Sequence, residues 1–382
     1  MHLLKLHIQK RLTLHFKSTS PLQLLSYSLD MSWLLLIFLM APAVLMAERC
    51  HPNDKAAILK FKNSFSNGRE LLPMWTPDRD CCDIFDCDEA TNRIIDFSLT
   101  YSNLAGTIPD SIGNLTYLKT LRLHKMPFLI GEIPLAVTRL KYVTFFDISW
   151  TNVSGRVPSF LSKLQSVMIL DLSFNNLSGP IPSSLATLPN MIGLDLSRNR
   201  LDGSIPESFG HIASPALQGL VLSHNMLSGE IPTSLGKMKI YRIDVSRNNL
   251  SGDASMLFGS SKNTTVIDIS RNNFDFDLSR VSFMVDTLVT LDISHNKIYG
   301  EIPSQILEAY MLQSLNVSYN RLCGTIPSPW KLKLAIEAAA WWCRGHANGD
   351  KDHGYDDVSP VLASLEGDGD DDDGDYDFAP AA

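Results

Sequence analysis

Apolar and polar positions alternate along this chain in one short figure that returns at a nearly constant interval. Leu170-Asp171-Leu172-Ser173-Phe174-Asn175-Asn176-Leu177-Ser178-Gly179-Pro180-Ile181-Pro182 shows it whole. The punctuating Gly falls at Gly106, Gly131, Gly155, Gly179, Gly203, Gly229, Gly252, Gly300 and Gly324, and Phe276 holds its place in one irregular repeat. The steps between them run 25, 24, 24, 24, 26, 23, 24, 24 and 24 residues. In stretches such as Leu194-Asp195-Leu196 and Leu291-Asp292-Ile293, the alternation predicts a strand whose apolar pair faces in and whose polar residue faces out. A strand this short buries nothing alone; stacked on its neighbours it becomes one rung of a long parallel sheet.

After each strand the chain must turn sharply. Asn175, Asn199, Asn225, Asn248, Asn272, Asn296 and Asn320 occupy that turn in seven successive repeats, with Ser102 and Thr151 in the place earlier. A buried amide has four hydrogen-bonding sites to fill. The Asn column is expected to face inward, each amide bonding the backbone of its own coil and the next. Gly-x-Ile-Pro reads as a second short extended segment, since Pro suits an edge or a turn. Stretches such as 183–189 are too short for a long helix and suit a 3₁₀ turn. A fixed period of roughly 20–29 residues with L-x-L and a following Asn is the mark of leucine-rich repeats. The expected fold is therefore an α/β solenoid. It is a right-handed leucine-rich-repeat superhelix of about ten 24-residue repeats, with a parallel sheet on the concave side and short 3₁₀ or α segments on the convex side.

Five regions follow in order: a leader at 1–47, an N-terminal cysteine-rich cap at 48–93, the repeats at 94–333, a vestigial C-terminal cap at 334–349 and an acidic tail at 350–382. The apolar run Trp33 to Ala47 is broken by Pro42, preceded by Lys5, Lys10, Arg11 and Lys17, and followed by a small-residue junction at Ala47-Glu48. It reads as a secretory signal, too short for a comfortable membrane span. Met31 is an alternative start, and an uncleaved anchor the alternative role. In an oxidising compartment Cys50, Cys81, Cys82 and Cys87 should pair. Neighbouring Cys81 and Cys82 do not easily join each other, so Cys50–Cys81 and Cys82–Cys87 are favoured, with metal binding as the competing use. Between them, 54–62 has helical spacing at Ile58, Leu59 and Phe61. A helix there would cover the exposed first edge of the solenoid.

Charge adds little about the repeats. Residues 350–382 hold twelve acidic side chains and one Lys, a local −11 in a chain of net −8, which leaves +3 elsewhere. This tail repels itself, and no register in it satisfies the D-x-D-x-D-G spacing of a calcium loop. No G-x-S-x-G, H-E-x-x-H or P-loop occurs, and the His residues are scattered, so the chain reads as a non-enzyme without a cofactor. The informative chemistry is the outward strand position, which runs Asp147, Asp171, Asp195, Val221, Asp244, Asp268, Asp292, Asn316. Carboxylates spaced about 4.8 Å apart repel, which raises their pKa values. One reading is an acidic track that attracts a basic partner. The other is a structural motif neutralised by the stripe Arg198, Arg247 and Arg271.

Several stretches resemble the plant polygalacturonase-inhibiting proteins. They are residues 50–55 in the cap, Trp150-Thr151-Asn152-Val153-Ser154-Gly155, Gly252-Asp253-Ala254-Ser255-Met256-Leu257-Phe258-Gly259, Asn296-Lys297-Ile298-Tyr299-Gly300, and 315–324. The resemblance covers residues 48–327. It implies a secreted plant cell-wall protein of defence, glycosylated and monomeric, with no membrane or nucleic-acid contact after signal cleavage. Its partner would be a microbial polygalacturonase, with pectin as a further one. The family's recognition positions map onto Asp171, Ile192, Ser197, Gly219, Asp244, Thr265 and Gln313, and Gln218 lies beside them. With Asp147, Asp195, Val221, Asp268 and Asp292 from the strand column, these make up the candidate binding face. The loop 82–87 is shorter than the family's and lacks its Trp. After Lys333 the resemblance stops, leaving Cys343 as the candidate partner of Cys323. Sequons at Asn114, Asn152, Asn176, Asn249 and Asn263 are expected to carry glycans, while Asn316, on the concave strand, is expected to stay bare. The alternative function is a soluble receptor-like binder of a peptide or receptor in signalling.

Overall fold

The computed structural model describes residues 49–214, 217–324 and 327. The leader, the vestigial cap, the acidic tail and Cys343 lie outside the described residues. The chain divides into two units, Met1–Trp341, which holds the repeats, and Trp342–Ala382, which lies outside the described residues.

Among the described residues, ten parallel strands, one per repeat, run in order through a 13-stranded main sheet, each paired with the strand of the next coil. Those of the regular repeats are short, such as Ile169–Asp171, Gly193–Asp195 and Gly219–Val221. Across the regular repeats the register is unbroken: Leu170 faces Leu194, Leu194 faces Leu220, and Ile243 faces Ile267. Within one coil Leu170, Leu172, Leu177, Leu185 and Leu188 are all buried. At roughly 1.5–3 kcal/mol per fully buried side chain, a thin core repeated ten times holds the stack together. The return segments are 3₁₀ turns, for example Leu135–Arg139, Ser183–Thr187 and Thr233–Lys237. Each follows the Pro of Gly-x-Ile-Pro or its equivalent, whose fixed φ suits the entry to a tight turn. The second extended segments pair into shorter parallel sheets, as Asn176–Pro180 does with the coils on either side. The punctuating glycines take left-handed φ, +77° at Gly179 and +73° at Gly203, where a side chain would be strained.

The Asn column is internal, with one correction to its direction. Asn199 Nδ2 donates to Leu196 O (3.2 Å) and Ser197 O (3.1 Å) of its own coil and to Leu172 O (2.9 Å) of the coil before. Its Oδ1 accepts from Leu177 N (3.0 Å), also in the coil before. The ladder therefore reaches back to the preceding coil, because the turn that holds each Asn closes over it. Asn225, Asn248, Asn272, Asn296 and Asn320 repeat the pattern. Asn175 also donates backward, to Ile148 O, while its Oδ1 accepts from the Thr151 hydroxyl. Replacing Asn225 with Ala should cost roughly 1–3 kcal/mol, because it strands buried backbone groups. Denaturant unfolding checks this, and a loss of only a few tenths would contradict it.

The cap covers the first strand, Asp96–Thr100, as expected. A helix spans Pro52–Asn63; His51 Nδ1 accepts from Asn53 N, and Pro52 opens the first turn, where no backbone N–H is missed. Ala57, Ile58 and Phe61 are buried. Cys50–Cys81 and Cys82–Cys87 are joined as anticipated. In the shortened loop, Phe85 fills the apolar place, with its ring 5.0 Å from Trp75 and 5.5 Å from Phe97. Asp54, fully buried, accepts from Arg93 Nε (2.9 Å), Arg93 Nη2 (2.7 Å) and Ile94 N (2.8 Å). That pair ties the cap helix to the start of the repeats.

Candidate functional site

The main sheet sets three parallel columns along the candidate face. In the strand column Asp147 lies beside Asp171, Asp171 beside Asp195, Asp244 beside Asp268, and Asp268 beside Asp292, with Val221 between Asp195 and Asp244. Their carboxylates do not simply point to solvent. Oδ1 accepts the backbone N–H two residues on: from Ser173 to Asp171 (2.8 Å), Ser197 to Asp195 (2.8 Å), Ser246 to Asp244 (3.1 Å), Ser270 to Asp268 (2.9 Å) and Ser294 to Asp292 (2.9 Å). The hydroxyls of Ser149, Ser197 and Ser246 donate to Asp147, Asp195 and Asp244 as well. The column is thus a recurrent turn motif that satisfies the backbone where the strand ends.

The expectation of a uniformly charged outward track is corrected here. Asp147 is 2% exposed and Asp244 8%, while Asp171, Asp195, Asp268 and Asp292 are half-buried. Val221 and Ser197 are buried too. Burial first, and then the neighbouring carboxylates, push Asp147, Asp195 and Asp268 up to about 7. The raised pKa values anticipated from the spacing are present, but desolvation leads. Neutralisation comes from elsewhere than anticipated. Arg122 Nε pairs with Asp147 Oδ2 (3.0 Å), and Arg242 approaches Asp244 (3.7 Å). Both are strand residues rather than members of the Arg198, Arg247, Arg271 stripe.

That stripe belongs to a second column, which the sequence only partly announced. The residue before each turn residue takes left-handed φ, between +51° and +54°: Tyr101, Lys125, Trp150, Phe174, Arg198, His224, Arg247, Arg271, His295 and Tyr319. Ten side chains are so carried in file along the margin of the sheet. Trp150 stacks on Phe174 with ring centroids 3.5 Å apart, and His295 on Tyr319 at 4.1 Å. Arg198 lies over Phe174 (4.8 Å) and Lys125 over Trp150 (5.3 Å), which caps the aromatic pair with cations. His224, among Arg198, Arg247 and Arg271, is held down to about 4 by burial and their charge, so its imidazole is neutral.

The third column precedes the strands. Gln218 and Gln313 are exposed, and Ile192 and Thr265 are half-buried. Met168 (39% exposed) and Tyr241 (46%) stand in the same file and were missed by the sequence reading, although their spacing from Ile192 would have placed them. In the cap, Cys50, Asp80, Cys81 and Cys82 bring potential metal-ligating atoms together. The sulfurs are bound in disulfides, and Asp80 accepts from the backbone N–H groups of Arg49, Cys50 and Cys82. Among the described residues no helix is long and apolar enough to cross a membrane.

The repeat geometry, the inward Asn column and the disulfide-tied cap define a leucine-rich-repeat protein. Family models described as leucine rich repeat match residues 165–227, 287–308 and 311–332, and one described as leucine rich repeat N-terminal domain matches 51–85. The chain is 54% identical over 239 residues to polygalacturonase inhibitor 2 of Arabidopsis thaliana, covering 62% of this chain and 72% of that protein. It is 55% identical over 224 residues to the polygalacturonase inhibitor of Pyrus communis, covering 58% and 67%. A further match, to the inhibitor of Vitis vinifera, is 48% identical over 135 residues, 35% of this chain and 39% of that one. Among solved structures, a plant ice-binding protein superposes with a TM-score of 0.70 at 41% identity, covering 73% of this chain and 90% of that one. The chain belongs to the polygalacturonase inhibitor family.

Proposed function

We propose that this chain is a secreted inhibitor of microbial endo-polygalacturonases that lays the concave sheet across the pectin-binding cleft of the enzyme. The observation that carries the reading is identity of 54–55% to named inhibitors over two thirds or more of their length. The face supports it chemically. A polygalacturonase handles an anionic polymer, so its cleft presents cations. The half-buried carboxylates Asp171 and Asp292 offer it a complementary field, which favours encounter and orientation more than raw affinity, and Asp195 and Asp268, pushed up to about 7, add charge only above that pH. Gln218, Gln313, Ile192 and Thr265 supply the hydrogen bonds and apolar contact, with a few of them carrying most of the energy. A stable complex buries about 1,200–2,000 Å² in total.

Pectin is proposed as a further partner, along the margin where Arg198, Arg247 and Arg271 stand in file. A polyanion with regularly spaced carboxylates matches such a row. The apolar leader and the sequons favour secretion into the plant cell wall, and the inhibitor acts there as a monomer. Purified chain assayed against a panel of fungal polygalacturonases should inhibit at least one. Correctly folded protein that inhibits none would overturn the proposal.

A further inference from the structure

The strand Thr120–Gly131 carries a bulge, with one residue more between Leu123 and Leu129 than between Leu172 and Leu177. The register between neighbouring coils shifts between Met126 and Ile130. Phe128 and Ile130 flank buried Leu129, at the outward positions that Arg200 and Asp202 hold around buried Leu201, and the additional Pro127 is exposed beside them. Phe128 is left 55% exposed and Ile130 50%, side by side on one face of the strand. The next coil presents Asn152 and Ser154 on that same face, around buried Val153. Ile130 pairs in register with Asn152, and Asn152 Nδ2 donates to Pro127 O (3.0 Å). Asn152-Val153-Ser154 is a sequon.

We propose that the first sugars of a glycan on Asn152 lie over Phe128 and Ile130 and act as the cover of this apolar bulge. The inference rests on the secretory route assumed in the proposed function. On glycosylation Nδ2 loses one proton and bonds to the anomeric carbon of the sugar, and the bond broken joins that carbon to the phosphate of an activated, lipid-linked sugar donor. The remaining N–H still donates to Pro127 O, so the amide stays aimed along the bulge. Sugar rings carry apolar C–H faces, which suit an exposed aromatic ring beside an aliphatic one. The sequon at Asn176 is the internal contrast. Its register partner is Ser154, and the neighbouring strand offers Arg200 and Asp202 in place of apolar residues.

The test uses the full chain secreted from plant cells with its glycans intact. Glycopeptide mass spectrometry should find Asn152 occupied. Thermal unfolding is then compared for the unaltered chain, Ser154→Ala, Phe128→Ser and the double variant. Ser154→Ala removes the sequon but keeps the Asn152–Pro127 bond, and should lower the midpoint by about 2–4 °C. In the Phe128→Ser background the same change should have little effect, whereas Ser178→Ala, which removes the Asn176 sequon, should shift both backgrounds equally. If Phe128→Ser is not secreted, binding of an apolar dye is measured before and after enzymatic removal of glycans from the unaltered chain and from Ser154→Ala. Deglycosylation should raise dye binding in the first and not in the second. An unoccupied Asn152, an equal midpoint loss in both Phe128 backgrounds, or no difference in dye binding overturns the proposal. Inhibition of a polygalacturonase is read separately, so its failure is distinguishable from this one.

Discussion

Lowering the pH from 7.5 to 5 should raise the thermal midpoint of this protein, on the order of 5–10 °C. The cause is the strand column. Asp147, Asp195 and Asp268 sit at about 7 in the fold, above their ordinary value of 3.8, because they are buried and neighbour other carboxylates. The folded state therefore holds protons that the unfolded chain releases. Their contribution is fully present below the unfolded value and is lost as pH rises through about 7. His224 works the other way. Held down to about 4, it favours the fold above 6.5 and loses that contribution as pH falls toward 4. Three carboxylates outweigh one imidazole, so the net change between pH 7.5 and 5 stabilises. Asp195→Asn should flatten the profile without disrupting the turn. Asn316 already fills that position in the last coil, where its Oδ1 accepts from Ser318 N (3.2 Å) and its Nδ2 donates to Asp292 Oδ2 (3.1 Å). A midpoint that falls on acidification, or a profile unchanged by Asp195→Asn, would count against the geometry.

Asp54→Ala should destabilise the protein by about 3–5 kcal/mol. The substitution leaves Arg93, whose side chain is 11% exposed, without its carboxylate, and it strands Ile94 N. A buried cation stripped of its partner is far costlier than a pair never made. The damage should begin locally. Hydrogen exchange should first quicken in the cap helix Pro52–Asn63 and in Asp96–Thr100, while coils beyond Asn199 keep their protection, since each repeat depends mainly on its neighbours. Replacement of both partners by apolar residues of similar volume should recover much of the loss. A change of under 1 kcal/mol for Asp54→Ala, measured by denaturant unfolding, would contradict this role.

Period and composition carried most of the architecture. A very short strand, an inward Asn and a Gly-x-Ile-Pro return leave few other ways to bury the leucines, and two disulfides and the helix Pro52–Asn63 tie the cap. The binding face was harder to read, for physical reasons. Whether Asp171 or Asp195 meets solvent depends on its Oδ1 turning to the N–H two residues on, a bond that leaves no trace in L-D-L-S. The left-handed file from Tyr101 to Tyr319 was hidden because nothing in Trp150, Phe174 or Arg247 favours positive φ; the closing Asn turn imposes it. The bulge at Phe128 was not legible in the Gly period, because the longer step from Gly203 to Gly229 takes its extra residues elsewhere; only the one additional residue between Leu123 and Leu129 records it.

The central claim is that this sheet face meets the enzyme, and paired charge insertions on opposite sides of the solenoid test it most directly. Gln218→Arg sets a bulky cation on the exposed edge of the sheet, and Ser184→Arg sets one in the 3₁₀ turn Ser183–Thr187 on the far side. Titrated against a polygalacturonase that the unaltered chain inhibits, Gln218→Arg should weaken inhibition at least about tenfold, a cost near 1.4 kcal/mol, while Ser184→Arg leaves it unchanged. Weakening by Ser184→Arg with Gln218→Arg silent would place the enzyme on the other side and contradict the account.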